Sequence, residues 1–270
     1  MTPPAAPHPA VVTTSWDDGH PADRRLADLL EKYGVPATFY IPRENPLDDL
    51  PVMSCSGIRD LAGRGFEIGG HTLSHAVLTT LDDTEAQREI ADCRDFVQDL
   101  TGQPCAVFSP PNGKHHVRHI EMIRRSGFDG YRTVEMWSLD RPRHQTNGLL
   151  EMPTTLTALA QPVIGVAKNL VKRRAVRGMA RYLRRGLTGS WAEHAAAMLD
   201  RAVATGGVFH LWGHSWELDD FDQWDELEGV LQRITDLAAA GRVRLLSNGE
   251  LCTTEGGRAT DGVASVTHPK

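Results

Sequence analysis

No stretch of the chain approaches the roughly 18 consecutive apolar residues that a membrane-spanning helix needs. Its longest apolar runs are broken by Arg, Lys, Asp or Gly, so no transmembrane segment is expected. Cysteine is scarce as well. Cys55, Cys93, Cys105 and Cys252 stand far apart with no C-x-x-C pair, which argues against a cysteine zinc site and against a dense disulfide scaffold. The opening MTPPAAPHPAVVTTSWDDGH has no basic start followed by an apolar block. It is a poor secretory signal, and a reducing cytoplasm is the expected compartment. With 29 Lys+Arg against 35 Asp+Glu, a net charge of -6 and 40% hydrophobic residues, the composition excludes disorder and collagen-like repeats. A chain of 270 residues can still enclose one continuous core, because (β/α) barrels reach about 200–250 residues or more as one domain.

What is present is an alternation of strand and helix signals. Val11-Val12-Thr13-Thr14 reads as a buried strand that opens into Asp17-Asp18-Gly19. Leu26, Leu29, Leu30 and Tyr33 recur at helical spacing, and Gly34 gives a stop before the apolar run 35–41. The pattern continues with a short helix near 58–62, a strand at 66–68 and a helix carrying Ile90, Cys93, Val97 and Leu100. Strands at 106–108 and 130–133 flank a helix at 117–123, and a strand at 208–212, a helix at 224–240 and a strand at 243–246 close the series. About seven βα units follow, and such repetition favours a parallel sheet or barrel. The expected organisation is a single catalytic domain over residues 1–252 and a Gly/Thr/Ser-rich flexible tail over 253–270. Residues 166–186 hold eight Lys and Arg residues and no acid. Val171, Ala175, Met179, Tyr182 and Leu183 trace an apolar stripe through them, so an amphipathic basic helix is expected within an insertion at about 160–190. Its basic face is either merely solvated or a contact for an anionic substrate, partner or headgroup layer.

Chemistry concentrates in two short segments. His71-Thr72-Leu73-Ser74-His75 puts two imidazoles at i and i+4, on one face if the segment makes a helical turn. Asp18 and His71 each follow an apparent strand, and such loops gather at the C-terminal mouth of a barrel. Asp18, His71 and His75 would form a three-residue metal site with positions left open for water and substrate. Taken singly, each pattern also fits surface histidines or an acidic turn.

The residues Ser15-Trp16-Asp17-Asp18-Gly19-His20 and Gly70-His71-Thr72-Leu73-Ser74-His75 resemble the first two motifs, T-F-D-D-G and H-[ST]-x-x-H, of the polysaccharide deacetylases, the NodB-homology carbohydrate esterases. Ser109-Pro110-Pro111-Asn112-Gly113 resembles part of the third motif, R-x-P-[YF]-G, and 208–214 the strand of the last, which ends in His. The resemblance runs from about Val11 to Leu246. It implies a distorted (β/α) barrel, and a divalent metal, zinc first, held by Asp18, His71 and His75. It also implies Asp17 as general base, the backbone amide of Asn112 as oxyanion donor and His214 as general acid. Trp212 and Pro111 would line the acyl pocket, and His210 is expected to be a core histidine.

Three departures from that pattern stand out. Ser109 occupies the place of the family's arginine, and Arg132, from the next strand, is expected to supply the substitute guanidinium beside Asp17. The fourth motif, D-x-x-D-W, has no aligned counterpart; Trp137 and Asp140 lie near its place in the wrong order. The basic insertion is the third, and it is read as a lid. The expected reaction is removal of an N-acetyl group from an amino sugar or N-acetylated saccharide, either free or phosphate- or nucleotide-linked, without a nucleic-acid partner. The rivals are an amidohydrolase of the same fold acting on a cyclic imide or ureide, and a non-catalytic binding protein.

Overall fold

The computed structural model describes residues 9–46, 50–159, 171, 176–185 and 189–263. Most of the basic insertion, including residues 160–170 and 172–175, lies outside the described residues, as do residues 264–270. In chain order the elements begin β1 (Ala10–Asp17), α1 (Asp23–Lys32), β2 (Thr38–Ile41), α2 (Cys55–Gly63), β3 (Glu67–Gly70), α3 (Asp83–Thr101), β4 (Val107–Phe108), α4 (Val117–Arg125) and β5 (Gly130–Arg132). They continue with β6 (Arg143–His144), β7 (Leu150–Met152), β8 (Leu156–Thr157), α5 (Val176–Arg185), α6 (Trp191–Thr205), β9 (Val208–Gly213), α7 (Ser215–Asp220), α8 (Trp224–Ala239), β10 (Val243–Leu245) and α9 (Asn248–Val263).

The strands lie in the order β6-β7-β5-β4-β3-β2-β1-β9-β8, and β10 pairs with the start of β1. Every pairing is parallel except β6 with β7. This is the expected distorted (β/α) barrel, curled but open: among the described residues no ladder joins β7 to β8. The segment after β5 crosses the gap instead, through Thr154 N to Glu135 O, Trp137 N to Thr155 O and Val208 N to Leu139 O.

Alternation along the strands divides the core in two. Val12, Trp16, Phe39, Ile41, Phe108 and Phe209 join the large cluster under the helices. Val11, Tyr40, Val107, Leu150 and Val208 form a second cluster with Leu251 and Cys252 of α9. That second cluster is the barrel interior, apolar toward the N-terminal ends of the strands. Keeping the same parity up the strands leads to Ser15, Asp17, His210 and Trp212, so the interior turns polar toward the C-terminal mouth. Sequence periodicity thereby sets both the core and the location of the chemistry.

Two elements depart from the sequence expectation. Helix α9 runs on to Val263 where a flexible tail was expected from Thr253. Its Leu251 and Cys252 close the barrel floor, and its Glu255 takes an ion pair from Arg141 at 2.6 Å. The other is α6, which the strand-helix reading passed over. Its start carries a capping box between Ser190 and Glu193, and its Trp191, Ala195, Met198, Leu199 and Ala202 are buried at helical spacing. No described helix is long and apolar enough to cross a membrane.

Candidate active site

The site is built on the loops that follow β1, β3, β4, β5 and β9. Asp18 leaves β1 in the left-handed region at φ 75. Thr72 and His75 (φ 58 and 56) do the same after β3, and Asn112 (φ 56) after β4. Non-glycine residues enter this region at a cost, and they cluster where the surrounding structure fixes a functional geometry. The 71–75 segment is therefore not the helical turn that its spacing suggested. Two left-handed residues fold it back, and Glu89 of α3 clamps it by accepting from Ser74 N at 2.9 Å and from Ser74 Oγ at 2.8 Å. At Gly113 (φ +62) a Cβ would come within 2.3 Å of Val134 Cγ2, so the tight turn that carries Asn112 requires glycine there.

The ligand atoms of Asp18, His71 and His75 lie within 4.8 Å of one another, and all three residues are buried. Asp18 Oδ1 is 3.2 Å from His75 Nε2 and 3.6 Å from His71 Nε2. His71 Nδ1 is 2.6 Å from the carbonyl oxygen of Ser109. That contact calls for a proton on Nδ1 and leaves the Nε2 lone pair for a cation, the usual outer-shell arrangement of metal-binding histidines. Burial acts to raise the pKa of Asp18, but the neighbouring imidazoles of His71, His75 and His214 outweigh it and lower it, so the carboxylate is ionised. Two imidazoles and one carboxylate fit a divalent transition metal such as zinc.

Asp17 is buried beside this trio. Its Oδ2 pairs with Arg132 Nη2, while its Oδ1 has no hydrogen-bond partner among the described residues. Arg132 also donates to Ser109 Oγ at 2.8 Å, and its guanidinium lies 4.8 Å from the centre of the Trp212 ring. The register explains its reach. Phe108 is paired with Tyr131, so Ser109 and Arg132 are neighbours across β4 and β5. The small serine leaves room for an arginine from the adjacent strand.

His214 caps the start of α7. Its Nδ1 is 2.7 Å from Glu217 Oε2 and its Nε2 is 3.8 Å from Asp18 Oδ2. Burial works against its charge, yet Glu217, Asp18 and Asp17 together raise its pKa from 6.5 to about 9. A raised histidine stabilises the fold fully below its unfolded pKa and loses that contribution as pH climbs through its folded one. In chelator-treated protein, the thermal stability advantage of wild type over His214→Gln should therefore shrink between about pH 6.5 and pH 9. A gap that stays constant across that interval would remove this electrostatic account of His214.

Glu217 was not anticipated. The only sequence signal for it is the His-x-x-Glu spacing at a helix start. Trp137 and Asp140 are engaged elsewhere, Trp137 with the His194 ring at 5.4 Å and Asp140 with Arg177 at 3.7 Å. His210 is buried with Nε2 at 2.8 Å from Ser15 Oγ, and burial followed by the charge of Arg132 pushes its pKa well down. Trp212 faces His214 edge-on at 5.8 Å, Pro111 is buried, and Asn112 is exposed at the rim. Next to the site, Thr79, Gly113, Lys114, His115, His116, Glu135, Arg143 and Glu151 line a cavity of about 450 Å³. The loops that carry His75 and Asn112 and the segment that follows Arg132 all continue into its walls.

The sequence model for polysaccharide deacetylases matches residues 5–131, the segment that holds Asp17, Asp18, His71, His75 and Asn112. Over that segment, a little under half of its length, the chain is similar to the polysaccharide deacetylase family. It is 30% identical to the peptidoglycan-N-acetylmuramic acid deacetylase PdaC of Bacillus subtilis over 40% of this chain and 22% of that protein. It is 26% identical to a peptidoglycan-N-acetylglucosamine deacetylase of Bacillus cereus over 48% of this chain and 45% of that protein. The matched regions thus span less than half of these curated deacetylases. Beyond residue 131 the likeness is one of fold. A crystal structure described as a candidate polysaccharide deacetylase from Mycobacterium smegmatis superposes with a TM-score of 0.68 at 16% identity, covering 98% of this chain and 96% of that one.

Proposed function

We propose that the barrel, closed by α9, is a metal-dependent N-deacetylase domain that hydrolyses the acetamide of an N-acetylated saccharide to acetate and a free amine. The observation that supports this reading is the buried cluster of Asp18, His71 and His75, with ligand atoms within 4.8 Å of one another, the Arg132-paired Asp17 next to Asp18 in the chain, and His214 Nε2 3.8 Å from Asp18 Oδ2. A divalent cation held by those three side chains would polarise the amide carbonyl and bring the pKa of a water toward neutrality, to about 7 in zinc enzymes.

The rest of the chemistry belongs to the protein. Asp17 Oδ2 is occupied by Arg132, so the unpartnered Oδ1 is the oxygen that accepts the proton of the attacking water. The backbone amide of Asn112 serves the negative charge that develops on the carbonyl oxygen. His214 is protonated at neutral pH, with Nδ1 tied to Glu217, so Nε2 delivers the proton that the leaving amine needs as the C–N bond breaks. Trp212 and Pro111 wall the acetyl methyl. The neighbouring cavity, with carboxylates, a guanidinium and imidazoles in its lining, offers donors and acceptors for further sugar hydroxyls. The phosphate-linked substrates that the basic segment suggested have no support, because nearly half of that segment, residues 166–170, 172–175 and 186, lies outside the described residues.

A panel of N-acetylglucosamine oligomers and peptidoglycan fragments, assayed for acetate with zinc-loaded protein, tests the reading. Acetate release from at least one of them is expected, and stoichiometric metal uptake without acetate release from any would sink the saccharide assignment. Within this mechanism Glu217→Gln keeps a hydrogen-bonding partner and removes the charge that holds His214 protonated. It should lower kcat by about 10–100-fold with little change in KM. The alkaline limb of the kcat/KM profile should move to lower pH, and an unmoved limb would show that Glu217 does not tune the acid.

A further inference from the structure

The turn that carries His214 makes a second contact with the site. Trp216, two residues on and half-buried, donates its indole N–H to Asp18 Oδ2 at 3.2 Å. The other carboxylate oxygen, Oδ1, is the one beside His71 and His75. The two oxygens of Asp18 therefore have separate partners. One is turned toward the imidazoles and the other is held from the α7 side. The Trp216 ring lies 5.4 Å from the His214 ring, tilted by 34°, so the indole is fixed by the same turn that presents His214.

We infer that Trp216 is a positioning residue for the metal site: its indole N–H pins Asp18 Oδ2, orients the carboxylate so that Oδ1 alone is offered to the cation, and thereby sets metal affinity. The inference rests on the metal-site reading given above and adds to it a residue outside the ligand set. Physically, a ligating carboxylate with one oxygen already hydrogen-bonded loses less freedom when a cation binds. Removing such an outer-shell partner weakens metal binding by about 10–100-fold. A tryptophan at the mouth has a competing explanation, as a flat wall against which a sugar ring rests. The two explanations separate cleanly, because phenylalanine keeps a ring and has no N–H.

The test is the zinc affinity of metal-stripped wild type and Trp216→Phe, measured by competition with a chromophoric chelator, with the thermal midpoint of both stripped proteins as the folding control. Trp216→Phe should bind zinc about 10–100-fold more weakly at an unchanged midpoint, and saturating zinc should restore kcat with KM near that of wild type. The visible bands of the cobalt-substituted protein should also change, since the carboxylate is freed to offer both oxygens. In an Asp18→Asn background the same substitution should add no further loss, because its effect passes through Asp18. Zinc affinity within twofold of wild type, or an equal loss in the Asp18→Asn background, overturns the inference and leaves the metal site standing. Failure of wild type itself to take up zinc overturns both.

Discussion

Asp17→Asn is expected to lower kcat for acetate release by about 10²–10⁴-fold while zinc still binds one per chain. The substitution is nearly isosteric and leaves Asp18, His71 and His75 intact, so it separates the base from the metal site. It removes the carboxylate whose Oδ1 has no hydrogen-bond partner and whose Oδ2 is paired with Arg132. An amide cannot take a proton from water there. The companion Asp18→Asn should fail differently, by losing metal affinity, although the two aspartates are adjacent in sequence. Acetate assays and metal analysis on the two variants are sufficient. Equal loss of metal in both would mean that the division of labour between the aspartates is wrong.

Arg132→Met should cost about 3–5 kcal/mol of stability, because it strands a buried carboxylate without its partner. The Arg132 and Asp17 side chains are 0% and 5% exposed, so water cannot replace the guanidinium. For a domain of this size the loss corresponds to a fall of roughly 10 °C in Tm. Adding Asp17→Asn to Arg132→Met should recover much of it, since the stranded charge is gone. Thermal unfolding of wild type, both single variants and the double variant completes the cycle. Additive losses would show that Arg132 stabilises through its contacts with Ser109, Trp212 and Tyr40 and not through Asp17. The same cycle followed by acetate release tells whether the pair is also needed for chemistry, because Arg132 leaves Asp17 only one oxygen for the proton.

Much of this arrangement is legible in the sequence because it depends on local patterns. The β-branched run at 11–14, the helical spacing of Leu26, Leu29 and Leu30, and the alternation of units that follows are enough to give a parallel barrel. Asp17-Asp18 and His71–His75 stand out because each ends a strand and carries side chains that a core would not tolerate unpaired. Arg132 is legible for a related reason: if β4 and β5 are neighbours, an arginine at the end of one can serve the position that serine leaves short in the other. What escapes is tertiary. Glu217 meets His214 only because α7 starts immediately after β9. The 71–75 segment reads as a helical turn until Glu89, on a helix of its own, is seen to hold it in another shape. The helix α9 looks like a tail by composition, with Gly, Thr and Ser prominent. It is helical because Leu251 and Cys252 have a barrel floor to cover, which overrides weak local propensity. The short strand β8, with two residues paired to Leu211 and Trp212, carries no periodic signal at all.

In the proposed reaction, Asp18, His71 and His75 hold one catalytic cation for the hydrolysis that Asp17 and His214 carry out. The most direct measurement is a titration of chelator-stripped protein with zinc, with acetate release from an N-acetylglucosamine oligomer followed at each addition. No release is expected without metal, followed by a rise that saturates at one equivalent per chain, with no rise at one equivalent for His71→Ala or His75→Ala. Full acetate release by the stripped protein, or a His75→Ala variant that titrates like wild type, would contradict it.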